Sequence, residues 1–296
     1  MHVVHCSGTI AGRAMQPDTR PSFLVGLIGA GIQASRTPLM HEREADALGL
    51  RYVYRLIDLV ELGLDASALP DLLVAAERMG FAGLNITHPC KQAVIELLDE
   101  LSDDARSIGA VNTVVLANGR RIGYNTDWSG FAESFRRGMP DAYLNCVVQL
   151  GAGGAGAAVA HAALALGTQR LIIFDTDRSR AERLAIGLCA RFGNGRALAG
   201  TDLPGAIAAA EGLIHATPTG MSGYPGLPLP QELLRPQLWV AEIVYFPLET
   251  ELLRAARRAG CRTLDGSGMA VFQAAEAFRL FTGIAPDAER MRRHFG

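Results

Sequence analysis

The sequence predicts an α/β protein of two domains built on mostly parallel sheets. Three observations carry that prediction. The chain has 296 residues, about two domains at roughly 150 residues each. From Phe23 onward, short apolar runs alternate with amphipathic stretches of helical period, and a βαβα rhythm implies parallel strands with helices on both faces. Past residue 140 the rhythm restarts on a glycine-rich turn between an apolar strand and an Ala-rich helix.

In the first half, 24–28 reads as a strand, and a helix over 38–48 opens after Thr37. A second strand at 52–59 is followed by a helix over about 69–79. A third strand spans 83–86, a helix is expected after Pro89, and 110–116 is a Val- and Thr-rich strand. A helix over about 128–137 leads through Gly138-Met139-Pro140 into the second half, so the domain boundary falls just after Asp127. There, 147–150, 155–166 and 171–174 form a βαβ unit. A helix near 180–192, strands at 213–216 and 239–244 and a helix over 249–259 extend it. Helices at 269–281 and 286–295 close the chain, and periodicity assigns them to neither half. Residues 1–20 lack the basic and then apolar succession of a signal peptide. They read as a loose tail, with a cytoplasmic location expected.

Composition narrows the function. With 28 Lys+Arg against 30 Asp+Glu, no positive field argues for nucleic acid or an anionic membrane, and no apolar run is long enough to span a bilayer. The five cysteines Cys6, Cys90, Cys146, Cys189 and Cys261 are scattered without a C-x-x-C pair, and no H-E-x-x-H occurs. Neither a disulfide framework nor a metal site is expected.

The glycine-rich turn is Gly151-Ala152-Gly153-Gly154-Ala155-Gly156. It contains G-x-G-x-x-G in the strand–turn–helix setting of a Rossmann dinucleotide site: one glycine for the turn, one for pyrophosphate approach, one for helix–strand packing. The next strand ends at Asp175, where a carboxylate would accept from the adenosine ribose and repel a 2′-phosphate. That favours NAD over NADP. Arg178 and Arg180 argue the other way, and Asp177 weakens their case. Asp177 and Ser179 could instead cap the next helix, Ser179 in particular.

Three polar clusters sit where strands of the first half should end: Ser35-Arg36-Thr37-Pro38, Asn85-Ile86-Thr87-His88-Pro89-Cys90-Lys91, and Asn112-Thr113 with Asn125-Thr126-Asp127. Carboxyl ends of parallel strands share one edge, where ligands bind. Hydroxyls, amides, one amine and one carboxylate suit a small polyol acid. Lys91 and Asp127 are the acid/base candidates. Pro89 at a first helical turn would put Lys91 near a helix N-terminus, favouring the neutral amine, whereas Asp127 would favour the ammonium. Alternatively, Lys91 is a solvated helix residue, Asp127 caps the helix at Trp128, Ser35 or Thr37 is a cap, and Asn112 forms a turn.

Seven segments in order resemble the shikimate dehydrogenase family: 26–41 (GLIGAGIQASRTPLMH), 83–91 (GLNITHPCK), 109–113 (GAVNT), 123–130 (GYNTDWSG), the GAGGAG loop, 216–221 (ATPTGM) and 269–283 (MAVFQAAEAFRLFTG). The resemblance implies a substrate-binding domain over 22–127 plus 269–296, a Rossmann NAD-binding domain over 128–268 and an active site in the cleft between the domains; it leaves 1–21 as the flexible tail already read from the residues. It makes Lys91 and Asp127 the catalytic pair, with Ser35, Thr37, Asn85, Thr87, Asn112, Tyr245 and Gln273 around a cyclic polyol carboxylate. Gly151, Ala152, Gly153, Gly154, Ala155, Asp175, Arg178, Thr217, Ile243 and Gly266 would face the cofactor. It also returns the helix bearing Gln273 to the first domain, and the chain would work as a monomer or homodimer.

Two departures from the biosynthetic members bear on specificity. Ser35-Arg36-Thr37-Pro38 stands where they carry Ser-x-Ser-Pro, and Asp175-Thr176-Asp177-Arg178 where an Asn-Arg-Thr type sequence binds the 2′-phosphate. Both resemble the NAD-dependent quinate/shikimate dehydrogenases. The expectation is therefore interconversion of quinate and 3-dehydroquinate, or shikimate and 3-dehydroshikimate, with NAD. The alternatives are an NADP-dependent biosynthetic shikimate dehydrogenase, an aminoshikimate dehydrogenase, and a nucleotide-binding regulator without catalysis.

Overall fold

A computed structural model of the chain describes residues 19–295. The tail expected at 1–21 lies, up to residue 18, outside the described residues, and so does Cys6. The first half builds a six-stranded sheet from β1 (Ser22–Gly29), β2 (Arg51–Asp58), β3 (Gly83–Ile86), β4 (Glu100–Leu101), β5 (Thr113–Ala117) and β6 (Arg120–Tyr124), in the order β2-β1-β3-β5-β6-β4. Helices α1 (Thr37–Ala47), α2 (Leu69–Arg78) and α3 (Asp103–Ile108) join them.

This sheet is mostly parallel, as expected, with one reversed strand: β5 alone runs against the other five. β1, β2 and β3 are parallel, β5 is antiparallel to both β3 and β6, and β4 is parallel to β6. The cause is local: Asn118 and Gly119 both take positive φ (53° and 71°), the backbone of a two-residue hairpin turn for which Asn-Gly is the preferred pair. The α-helix expected after Pro89 is also absent. The chain turns there, then makes a 3-10 stretch at Ala93–Leu97. Val111 N donates to Lys91 O at 2.9 Å, so that carbonyl is spent on a distant strand connection instead of a helical turn.

The second half forms a wholly parallel sheet from β7 (Cys146–Leu150), β8 (Arg170–Phe174), β9 (Ala197–Ala199), β10 (Gly212–His215), β11 (Trp239–Glu242) and β12 (Arg262–Leu264), in the order β12-β11-β10-β7-β8-β9. The order reverses between β7 and β10, the topological switch point where doubly wound sheets bind ligands. Alternate residues of β7 point to opposite faces: Val147 joins Leu171, Ile173 and Val159 on one side, Val148 joins Leu213, Val240 and Leu252 on the other.

Helices α4 (Thr126–Gly138), α5 (Gly154–Ala165), α6 (Arg178–Phe192), α7 (Leu203–Ala209), α8 (Glu251–Arg258), α9 (Ser267–Thr282) and α10 (Ala288–Arg293) complete the fold. α9 touches both halves: Met269 lies in the core under the second sheet, while Phe278 and Phe281 are buried among residues of the first. α4 crosses α9 so closely that a Cβ at Gly130 would lie 2.7 Å from Gln273 N. That contact fixes the height at which Gln273 stands beside the start of α4.

Candidate active site

The polar clusters of the first half do converge on one sheet edge, by a route different from the expected one. Asn85 comes from the carboxyl end of β3, and Asn125–Asp127 follow the carboxyl end of β6. Asn112 and Thr113 come from the amino end of the antiparallel β5, whose register sets Thr113 opposite both Asn85 and Tyr124. The loop after β1 lies alongside. Ala30 N donates to His88 O at 2.9 Å, and Thr87 packs its methyl where a Gly29 Cβ would be.

Asp58, at the end of β2, ties down the loop that carries Ser35 and Thr37. Its carboxylate accepts from Gly31 N and Ile32 N at 2.8 Å, and from Gln33 Nε2 and Val60 N at 3.1 Å. Burial works to raise the Asp58 pKa, but these bonds outweigh it and leave the carboxyl below its ordinary value. The N-cap position of α1 is Arg36, without a side-chain cap. Ser35 Oγ accepts from Thr37 N at 3.3 Å, and neither hydroxyl is bonded to the network described next.

That network is buried and continuous. Tyr54 OH donates to Asn85 Oδ1 at 2.8 Å, and Asn85 Nδ2 donates to Thr113 Oγ1 at 3.0 Å. Asn112 Oδ1 accepts from Thr126 N at 2.7 Å, while Asn112 Nδ2 donates to Asp127 Oδ1 at 2.9 Å. Lys91 Nζ lies 2.5 Å from Asp127 Oδ2. Asp127 is not the cap of α4: Asn125 is, accepting from Asp127 N and Trp128 N at 3.1 and 3.4 Å. The Asp127 carboxylate is thereby free to face Lys91 from the first turn of α4, where a negative charge is favoured. Gln273 joins through Thr126 Oγ1 at 3.5 Å. Tyr245, exposed over about half its surface, borders the group; the partial desolvation of its hydroxyl, and then the Asp127 charge, raise its phenol pKa.

The second half presents its glycine turn to the same place. Gly151 has φ of 102°, and a Cβ there would strike Ala216 O at 2.3 Å. A Cβ at Gly156 would lie 2.4 Å from Gly151 O, so helix and strand touch at that point. Around Gly153 nothing comes within 4 Å, and at Gly154 the nearest atom is Lys91 Cδ, 3.8 Å from where a Cβ would stand. The open backbone and the unpaired N–H groups of the first turn of α5 fit a dinucleotide pyrophosphate. Asp175 accepts from Ala152 N at 2.7 Å and Asp177 N at 2.9 Å. Arg178 pairs with Glu182 at 2.7 Å, and Arg180 lies 3.4 Å from Asp177. Asp177, rather than Ser179, caps α6. Ile243 and Gly266 adjoin, since a Gly266 Cβ would lie 2.6 Å from Ile243 O.

Residues 27–114 match the family model of the shikimate dehydrogenase substrate binding domain, and 266–294 that of the shikimate 5'-dehydrogenase C-terminal domain. A curated shikimate dehydrogenase (NADP(+)) of Streptomyces avermitilis is 60% identical, covering 92% of this chain and 94% of its own. The chain belongs to the shikimate dehydrogenase family. A quinate/shikimate dehydrogenase (NAD(+)) of Corynebacterium efficiens is 51% identical, over 93% of this chain and 98% of its own. Among solved structures, quinate dehydrogenase from Corynebacterium glutamicum in complex with NAD superposes with a TM-score of 0.88 at 50% identity, covering 93% of this chain and 99% of that one. Like its relatives, this member of the shikimate dehydrogenase family is an oxidoreductase with a nicotinamide dinucleotide cofactor. Among its described residues, no helix is long and apolar enough to cross a membrane.

Sequence reasoning missed Tyr54 and Asp58 as members of the site, and placed Asn125 and Thr126 in a polar cluster without giving either a role. Asn125 carried a signal, since Asn two residues before an acidic first turn is a capping pattern. Tyr54 lies within β2 and Asp58 at its end, and neither carries one.

Proposed function

We propose that the protein is an NAD-dependent dehydrogenase interconverting quinate and 3-dehydroquinate, shikimate and 3-dehydroshikimate, or both pairs. The observation that carries this reading is the Lys91–Asp127 contact of 2.5 Å, made where the Lys91 chain faces the glycine turn at Gly154. A proton-transfer pair and a dinucleotide seat thus share one cleft. In this reading residues 22–127 with 269–296 bind the ring acid and residues 128–268 the dinucleotide.

When bound, the nicotinamide accepts or returns the hydride. In ketone reduction the Lys91 ammonium donates a proton to the carbonyl oxygen, and in alcohol oxidation the amine takes it back. Asp127 Oδ2 orients the Lys91 nitrogen, and Asn112 prevents the carboxylate from turning by holding Oδ1. Asn85, Thr87, Asn112 and Gln273 are placed to bind ring hydroxyls, Tyr245 to cover the ring, and Ser35 and Thr37 to bind the carboxylate. The glycine turn from Gly151 to Ala155 holds the pyrophosphate; Thr217, Ile243 and Gly266 face the nicotinamide end, and Asp175 and Arg178 the adenosine end.

NAD is favoured over NADP because the carboxylate of Asp175 stands at the ribose position, where it accepts from the ribose and repels a 2′-phosphate. The 60% identical relative named for NADP(+) favours the other cofactor. Steady-state rates with quinate and shikimate, each with NAD and NADP, decide. Turnover of a ring acid with NAD at the higher kcat/KM is expected. Oxidation of neither acid, or a preference for NADP, would overturn the reading.

A further inference from the structure

Beneath the carboxyl ends of β10 and β11, beside the switch point, lies a buried polar chain that the reaction just described does not use. His215 and Glu242 are register partners on the two strands, and both are buried. His215 Nδ1 stands 2.9 Å from each carboxylate oxygen of Glu242, and its Nε2 is 2.5 Å from Thr217 Oγ1. Glu242 is held in turn by Val244 N at 3.0 Å and by the Thr250 hydroxyl at 3.1 Å. A hydrogen-bonded pair of this kind is costly to bury unless every member is satisfied, and here both ring nitrogens and both carboxylate oxygens are.

The outlet of the chain is Thr217, the one member that is not buried. Its Oγ1 is drawn inward by His215 and by Thr219 N at 3.3 Å. That turns its methyl toward the glycine turn, 3.1 Å from where a Gly151 Cβ would stand. Thr217 follows β10, whereas Asp175 follows β8, on the opposite side of β7. A dinucleotide spans the switch point with one mononucleotide half on each side and its adenosine ribose on the Asp175 side. The Thr217 side therefore takes the nicotinamide half.

We infer that His215 and Glu242 are positioning residues that lock the Thr217 rotamer and so shape the seat of the nicotinamide half. The inference rests on the reading that a dinucleotide binds at the glycine turn. The test compares NADH, titrated by its fluorescence, with AMP, which occupies the adenosine half alone. His215→Asn and Thr217→Val should each raise the NADH Kd roughly 3- to 10-fold, the scale of one lost hydrogen bond, and change the AMP Kd less than about 2-fold. In the double variant the effects should not add, because His215 acts through Thr217. Glu242→Gln keeps the volume and should raise the NADH Kd alone even if His215→Asn does not fold. Additive effects, an equal loss of AMP binding, or a folded Glu242→Gln protein with unchanged NADH affinity would overturn the inference. Wild-type protein that binds neither NADH nor NADPH would instead overturn the dinucleotide reading itself.

Discussion

Asn112 Nδ2 donates to Asp127 Oδ1 at 2.9 Å, on the oxygen opposite the one that meets Lys91 Nζ. The carboxylate is held at one end by the first sheet and points the other end at the amine. Asn112 is itself fixed, because its own oxygen accepts from Thr126 N at the start of α4. The orientation of the lysine is thus set by backbone as much as by charge, an arrangement suited to a group that must hold one position through a proton transfer.

Replacing Lys91 with Ala should remove the proton donor and leave the hydroxyl-binding groups in place. We expect kcat to fall by about 10²–10⁴-fold, the range for loss of a general acid or base, with the ring-acid KM changed far less. Steady-state kinetics at saturating cofactor measures this. Near-normal kcat would mean that the proton leaves by another group.

Tyr54 should act on substrate affinity. Its hydroxyl donates to Asn85 Oδ1, and burial raises the phenol pKa well above its ordinary value, so the donor stays protonated at any working pH. Tyr54→Phe frees the Asn85 amide to turn. The ring-acid KM should rise several-fold for about 1 kcal/mol of lost hydrogen bonding, with kcat nearly preserved. Equal KM values for the two proteins would show that Asn85 needs no such anchor.

What the sequence disclosed and withheld follows from the range of each interaction. The glycine turn and the βαβ unit are local patterns of a few residues, and they stand where they were read. The polar clusters do meet, but Asn112 and Thr113 come from the start of β5 and not from a strand's carboxyl end. The reversal of β5 was hidden although Asn118-Gly119 announces a hairpin, because the short β6 with its two arginines resembles a loop. Pro89 suggested a helix start; a bond from Val111 N to Lys91 O decided otherwise. Tyr54, Asp58, His215 and Glu242 look like ordinary strand residues until their partners on neighbouring strands are known.

Asp58 gives a pH signature. Its folded-state pKa lies below the ordinary value, so its contribution to stability is present above the unfolded pKa of about 3.9 and is lost as pH falls through the lower folded value. Other carboxylates titrate in the same window, so the difference between wild type and Asp58→Asn is the informative quantity. The gap in Tm between the two proteins should be widest near neutral pH and shrink as pH falls below about 4. The variant should also show a raised ring-acid KM, since the loop of Ser35 and Thr37 loses its anchor. A gap in Tm that is constant with pH would rule out the charged form of Asp58 as the stabilising one.

Asp175 should decide the cofactor. Its carboxylate already accepts from Ala152 N in the glycine turn, which seats its negative charge where the adenosine ribose would lie. A 2′-phosphate would meet that charge, while Arg178 and Arg180 hold only exposed, exchangeable pairings with Glu182 and Asp177. Asp175→Ala removes both the ribose acceptor and the repulsion. The kcat/KM with NAD should fall and that with NADP rise, moving their ratio by about 10-fold or more, as expected for a hydrogen bond to a charged group. Arg178→Ala should affect NADP use in the Asp175→Ala background only, where the guanidinium can leave Glu182 for the phosphate. An Asp175→Ala enzyme with the wild-type cofactor ratio would place the discrimination elsewhere along the turn.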